Sequence, residues 1–293
     1  MTHLKQLLAQ NQAGLTVYSP DCTHSRLWGH IDQAIHKATG FQIGRRQWVN
    51  HDINSIMRFY QEEGDEVPPE QDPAEARQKY DNIPVEILQS GHLVVKLLMQ
   101  GPSLVTIWQG EDAIPTLLKV KGKTQPAEAG ADTVRGRFWC DNGVCNLMHS
   151  SDDTAAVKRE LAALNLTHWL EEILNPLPLI PPISLPTAHI PHSAISTVCE
   201  LVNRLLQTTA DDPLSIQLPP SGDARETNQQ LTALLRQTAA QQPTLAPFIN
   251  AFLSGDLPTT TNLLQSLPAT RWEYFVLQCG VLNRDKWQTA TAA

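Results

Sequence analysis

The residues able to do chemistry gather between Thr124 and Glu160, in the stretch TQPAEAGADTVRGRFWCDNGVCNLMHSSDDTAAVKRE. Near its centre a single histidine, His149, separates a short apolar run from the polar turn Ser150, Ser151, Asp152 and Asp153. Residues 133 to 148 alternate apolar and polar side chains around Asp141, Asn142 and Gly143, the pattern of a β-hairpin or of a loop feeding a strand. His149 then emerges at a strand end. Ser150 to Asp153 supply N-cap candidates for the next segment, where Ala156, Val157, Leu161 and Leu164 recur at helical spacing. A histidine between a strand end and a helix N-terminus is well placed to carry a phosphate, because first-turn amides and the helix dipole favour negative charge there. The alternative is a histidine that only fills a turn.

The elements that must hold this stretch follow from apolar spacing. Residues 3 to 12 read as a short amphipathic helix and Gly14 to Ser19 as a strand. Ser25 to Ala38 reads as a helix with Leu27, Ile31, Ala34, Ile35 and Ala38 on one face, ended by Gly40. Phe41 to Val49 is a second strand, and Asp52 caps a helix carrying Ile53, Ile56, Met57 and Tyr60. Residues 62 to 82 turn acidic and proline-containing, which predicts an exposed insertion. A helix over Ile83 to Met99, despite Gly91, is stopped by Gly101 and Pro102. Ser103 to Gln109 is a strand, and Glu111 and Asp112 open a helix to about Leu118. With the His149 strand and its following helix, this order predicts a split βαβ, ferredoxin-like α/β sandwich.

Farther on, Asn175 to Ser193 (NPLPLIPPISLPTAHIPHS) is dense in proline and reads as a stiff, partly extended linker that packs along a domain surface or runs free. Its His189 and His192 lack the neighbours of a metal site. Five helices follow: Ile195 to Leu206, Arg225 to Ala239, Thr244 to Leu253, Thr259 to Leu267 and Trp272 to Leu282, an orthogonal bundle or small array. Trp272, Tyr274, Phe275 and Trp287 read as core or as a groove for a protein partner. The expected division is a domain over 1–170, a linker over 171–193 and an all-α domain over 194–293, an α+β unit followed by a helical one.

The chain has 293 residues, 41% hydrophobic and 18% charged, a globular composition long enough for two ordinary domains. A net charge of -8 argues against a nucleic-acid binder. Five scattered cysteines without a CxxC pair indicate neither a disulfide framework nor a zinc site, and fit a reducing compartment. No stretch reads as a signal peptide or reaches the roughly 18 apolar residues of a membrane span. The expectation is a soluble, cytoplasmic protein with no membrane partner.

NLMHSSD (Asn146 to Asp152) resembles the Asn-x-x-His-Gly-Ser-Asp active-site signature of the nucleoside diphosphate kinase family. GKTQPAEAGADTVRGRF (Gly122 to Phe138) resembles that family's upstream Gly-x-Thr-x-Pro and Thr-x-Arg-Gly segment. The resemblance spans about residues 14 to 165 and implies the same sandwich fold. It implies that His149 takes the terminal phosphoryl group of a nucleoside triphosphate and passes it to a nucleoside diphosphate, in a ping-pong reaction through a phosphohistidine. Glu160 matches the carboxylate that orients the ring, and Tyr60 the tyrosine beside it. Arg135 and Thr124 match the residues holding the phosphates, Asn146 the one contacting the sugar hydroxyl, and Ser151 and Asp152 the Ser-Asp pair after the histidine. Mg²⁺ is implied on the nucleotide phosphates, not in an all-protein cage. Members are commonly hexamers or tetramers, which implies a homo-oligomer unless the appended half and the insertion block those surfaces, so the oligomeric state is left open.

The sequence also departs from the family. In YSPDC (Tyr18 to Cys22), Ser19 stands where the family has a lysine. Leu118 falls at a second phosphate-binding arginine, with Lys119 or Lys121 as candidates to reach the nucleotide instead. The base-stacking position falls near Ser90 and Gly91, and the glycine after the histidine is Ser150. Removing one preorganised charge stabiliser costs about 3 to 4 kcal/mol, roughly a hundred- to thousandfold in rate. Two function classes therefore stand: a divergent phosphotransferase, or a catalytically impaired nucleotide sensor or scaffold whose helical C-terminal domain engages a protein.

Overall fold

Every residue of AGLTVY, Ala13–Tyr18, is buried, as befits a strand covered on both faces. In the computed structural model, which describes residues 3–61, 65, 66, 69–179, 181, 182, 191–206 and 222–287, this segment is β1. The other strands are β2 (Gln42–Val49), β3 (Ser103–Gln109) and β4 (Met148–Ser150). They pair antiparallel in the order β2-β3-β1-β4. Helix α1 (Leu4–Ala9) precedes the sheet. Helices α2 (Pro20–His24) and α3 (Trp28–Thr39) join β1 to β2, and α4 (Ile53–Phe59), α5 (Pro73–Asp81) and α6 (Ser90–Leu98) join β2 to β3. Helices α7 (Ala113–Lys121) and α8 (Val134–Arg137) lie between β3 and β4, and α9 (Thr154–Ala163) follows β4. The strand order and the helical crossovers make the ferredoxin-like α+β sandwich that the sequence predicts.

Strand alternation divides the sheet's two faces. Leu15, Val17, Val105 and Ile107 join Leu4, Leu8, Phe59, Val157, Leu161 and Trp169 in one apolar core. The intervening residues carry a buried polar ladder. Trp108 Nε1 donates to Thr16 Oγ1 at 3.0 Å, Arg46 Nε donates to Thr106 Oγ1 at 2.9 Å, and Tyr18 Oη donates to Asp32 at 2.8 Å. Arg46 also binds the fully buried Asp32 through both Nη atoms, at 2.8 and 2.7 Å. A buried carboxylate with that many donors is a satisfied charge.

Four expectations are corrected. The helix expected from Ser25 begins at Trp28, because Pro20 starts the separate α2 and the Ser25 amide closes it on the Asp21 carbonyl at 3.0 Å. Gly40 ends α3 as predicted, in the left-handed region at φ 73°. Of the two readings of residues 133 to 148, the hairpin gives way to the loop feeding a strand, β4. Thr133 caps α8 instead, and Asn142 Oδ1 accepts from the Val144 and Cys145 amides at 3.1 and 2.6 Å, so a side chain takes the bonds that a ladder would use. Within it, a Cβ on Gly136 would lie 2.1 Å from the Gly130 carbonyl oxygen, a contact only glycine permits. The insertion at 62–82 contains α5, capped by Asp72, and Ala76 on it packs with Ile53, Ile56 and Val95. The helix expected from Ile83 is a short 3-10 turn at Val85–Ile87 followed by α6.

Contacts divide the chain into two units, one of residues 1–83, 94–121 and 147–183 and the other of 84–93, 122–146 and 184–293. In the first, the start of the expected linker packs: Leu174 joins the core and the Leu177 amide donates to the Ile43 carbonyl at 2.7 Å. His189 lies outside the described residues. The second unit contains α10 (Ala194–Leu206), α11 (Ala224–Gln241), α12 (Ala246–Ser254), α13 (Leu257–Leu264) and α14 (Arg271–Val281), near the predicted positions. Phe275 and Trp287 are core, whereas Trp272 and Tyr274 are half-buried.

The division expected at residue 170 is not the one these contacts draw, because residues 122–146 fold with the C-terminal helices. Asp141 Oδ2 accepts from the Ile195 amide at 2.7 Å, at the start of α10, and from Ser193 Oγ at 3.3 Å. Trp287 Nε1 donates to the Asp141 carbonyl at 2.6 Å, and the Gly143 amide donates to Asn283 Oδ1 at 3.2 Å. The buried His192 bonds the Phe138 carbonyl at 2.6 Å through Nε2.

Candidate active site

β4 is three residues long, and His149 is its middle residue, opposite Val17 of β1. Paired residues of an antiparallel ladder share a face, so His149 points to the side where α4 and α9 pack. There its Nε2 meets Glu160 Oε1 of α9 at 2.9 Å. The other carboxylate oxygen accepts from Ser151 Oγ at 2.6 Å. Glu160 and Ser151 are buried, while the His149 side chain is 27% exposed. The arrangement fixes the ring by one nitrogen and leaves Nδ1 without a protein partner among the described residues. Asp153 caps α9 through the Ala156 amide at 2.7 Å, which sets the helix that carries Glu160.

Two aromatics wall the ring. Phe59 lies edge-on with its centroid 5.0 Å from that of His149, and Tyr60, 49% exposed, lies 6.4 Å away. Phe59 was not legible as a site residue, although it directly precedes Tyr60. Behind Phe59 is His51, at 6.3 Å between centroids, with Nε2 3.0 Å from Ser103 Oγ and Nδ1 buried without a partner among the described residues. Burial lowers its pKa to about 4.

The residues at the family's cation positions are occupied in other ways. Ser19 Oγ donates to Asp21 Oδ1 at 2.5 Å, and Asp21 Oδ2 accepts the Leu147 amide at 2.8 Å, just ahead of β4. Burial raises the Asp21 pKa, with the Ser19 and Leu147 bonds opposing it. Leu118 packs against the apolar core. Arg46 is bound to Asp32, and Arg45 pairs with Glu172 at 3.1 Å and lies over Trp169. Lys119 is exposed on α7. Lys121, at the end of the same helix, reaches the carbonyl of Ser150 next to His149, with Nζ 3.4 Å away. It is the better-placed cation of the two.

In the second unit, Arg135 is 3% exposed. Its Nη1 donates to the Gly122 carbonyl at 3.2 Å, its Nε to the Asn146 carbonyl at 3.2 Å and its Nη2 to Asn146 Oδ1 at 3.1 Å. Asn146 Nδ2 donates to the Gly143 carbonyl at 2.8 Å. The structure thus brings His149, Glu160, Ser151 and Tyr60 together in the first unit and Arg135 with Asn146 in the second. Thr124 and Asp152 are exposed, and no side-chain bond of theirs is present among the described residues.

A buried carboxylate tied to one ring nitrogen of a histidine on the last strand of this sandwich points the same way as the motifs. Residues 90–166 match the nucleoside diphosphate kinase family. The C-terminal helices are covered by no family. The nucleoside diphosphate kinase of Synechococcus sp. (strain JA-3-3Ab) is 38% identical over 79 residues, 27% of this chain and 49% of that protein. Nucleoside diphosphate kinase 3 of Homo sapiens is 39% identical over 69 residues, 24% of this chain and 40% of that one. The chain spans about half the length of the curated relatives it matches. A crystal structure of the nucleoside diphosphate kinase from Encephalitozoon cuniculi is 22% identical, covering 58% of this chain and 95% of that one at a TM-score of 0.39. No helix among the described residues is long and apolar enough to cross a membrane.

Proposed function

We propose that the chain is a divergent nucleoside diphosphate kinase-like phosphotransferase working through phospho-His149. The observation that carries the reading is the bond between His149 Nε2 and Glu160, itself held by Ser151. A carboxylate on one ring nitrogen keeps the proton there and leaves the lone pair on the other. The Nδ1 lone pair then attacks the terminal phosphorus of a nucleoside triphosphate, and the bond to the bridging oxygen breaks, its electrons leaving with the nucleoside diphosphate. In the return step, a terminal phosphate oxygen of a second diphosphate attacks the phosphorus and the N–P electron pair returns to the ring. Glu160 stabilises the positive charge that the ring carries meanwhile.

By the family resemblance, Arg135, Thr124, Asn146, Ser151, Asp152 and Lys119 hold the nucleotide, and Lys121 takes the place of a missing cation. Among the described residues no group of three or more His, Cys, Asp and Glu forms a metal cage. By the family resemblance, Mg²⁺ would arrive on the nucleotide phosphates and neutralise their charge. A homo-oligomer and a protein partner for the C-terminal helices belong to the same reading, as does a cytosolic location.

One observation favours the nucleotide sensor instead: Arg135 and Asn146 already use their polar atoms on each other and on neighbouring carbonyls. Incubation with γ-labelled ATP and Mg²⁺ separates the two readings. The phosphotransferase gives an acid-labile phosphate that His149→Ala abolishes and that ADP discharges. Equal labelling of His149→Ala, or none of the parent protein, overturns it, and nucleotide binding without labelling identifies the sensor.

A further inference from the structure

The helical unit holds a pocket of about 240 Å³ whose lining includes Asn228, Thr232 and Arg236 of α11, Leu253 of α12, and Arg284 and Trp287 of the helical turn after α14. The three α11 residues are spaced by four, so one stripe of that helix faces the pocket. Arg284 is 3% exposed. Its Nη2 donates to Thr232 Oγ1 at 3.3 Å, whereas its Nε and Nη1 are buried without an acceptor among the described residues. Asn228, also 3% exposed, has a buried Nδ2 with no acceptor. None of the pocket's described lining residues is Asp or Glu, and Arg236 adds a second positive charge.

A guanidinium this deeply buried is normally paired. Phe252 covers one face of Arg284, its ring centroid 5.2 Å from the guanidinium carbon, and Asp141 acts on it only at longer range. Neither supplies an acceptor for Nε or Nη1. Burial accordingly lowers the Arg284 pKa, with Asp141 opposing and Arg236 adding to the effect.

We infer that this pocket binds a small ligand through an oxyanion, a phosphate or a carboxylate. Arg284 and Asn228 line it and carry donors with no acceptor among the described residues. Those donors are closed to water in the ligand-free chain, so a side-chain shift turns them toward the ligand, and the exposed Arg236 supplies charge at its mouth. Leu253 and the Trp287 ring offer the ligand apolar surface. The volume lies just below the roughly 300–1,000 Å³ of drug-sized sites, which suits a phosphorylated or carboxylated small metabolite and not a nucleoside triphosphate. The site stands apart from the phosphotransferase reading and survives its failure.

Titration calorimetry and thermal unfolding of the full chain test it, with pyrophosphate in one arm and citrate in the other. Arg236→Gln should weaken the binding of at least one probe roughly tenfold, the worth of one exposed charge-assisted contact. Arg236→Glu should place a carboxylate beside Arg284. It should raise the Tm of the ligand-free chain and abolish the ligand-induced rise that binding to the native state otherwise gives. Loss confined to the pyrophosphate arm assigns a phosphate ligand, and loss confined to the citrate arm a carboxylate. If neither probe binds, or if both variants keep the parental affinity and Tm rise for both probes, the inference is overturned.

Discussion

Arg135 donates to Asn146 twice, from Nη2 to the side-chain oxygen at 3.1 Å and from Nε to the backbone carbonyl at 3.2 Å. With the third bond, to the Gly122 carbonyl, one side chain ties together both ends of the 122–146 segment. Arg135→Met keeps the volume and removes every donor. Part-buried acceptors left unpaired cost about 1–3 kcal/mol each, so the unfolding free energy of the helical unit in urea should fall by an amount of that order and lower its midpoint. An unchanged midpoint would show that water serves these carbonyls as well as Arg135 does.

Glu160 holds His149 by Nε2 and is itself held by Ser151. Replacing an orienting carboxylate of this kind slows a reaction roughly 10- to 100-fold. Glu160→Gln should slow phosphohistidine formation by that factor in single-turnover experiments, and Ser151→Ala by less. Parental rates in both variants would remove the carboxylate from the mechanism.

Lys121 ends α7 with its ammonium 3.4 Å from the Ser150 carbonyl. A phosphate on His149 would form beside that charge. Lys121→Gln should therefore reduce the rate of His149 phosphorylation by roughly a hundredfold, the worth of one preorganised charge stabiliser. A reduction below twofold would leave the arginine that the resemblance expects at Leu118 without a substitute.

His51 sets an acid limb of the stability curve. Its pKa falls from the ordinary 6.5 to about 4 on burial in the fold, so between those values the unfolded chain binds the proton and the native chain does not. Stability rises with pH wherever the unfolded state binds more protons. The contribution is therefore full above pH 6.5 and is lost as pH falls towards 4, by about 3 kcal/mol in all. His51→Gln should flatten that limb in urea titrations between pH 4 and 6.5, and an unchanged slope would assign it to other groups.

Local signals reached far into this protein. The spacing of Leu15 and Val17, the Asp52 cap, the Gly40 stop and the SLVTIWQ run are each set by neighbours a few residues away, and all lie where they were expected. His149 and Glu160 lie 11 residues apart, joined by a short turn and about two helical turns, so their meeting was also within reach of the motif. Phe59 was not, nor was the choice of Lys121 over Lys119, because nothing local says which side chains of α4 and α7 come near β4.

The sequence by itself determined the alternation that builds the sheet, the caps that begin its helices and the histidine with its carboxylate, since each is a matter of short-range periodicity or spacing. Only the tertiary structure decided with which core residues 122–146 would fold. That choice rests on Asp141, Phe138 and Gly143 finding partners at Ile195, His192 and Asn283. Burial requires a partner for every polar group but does not say how far along the chain it lies. The same long-range packing decided that Arg284, an ordinary arginine in the sequence, would be buried with two of its nitrogens unpaired.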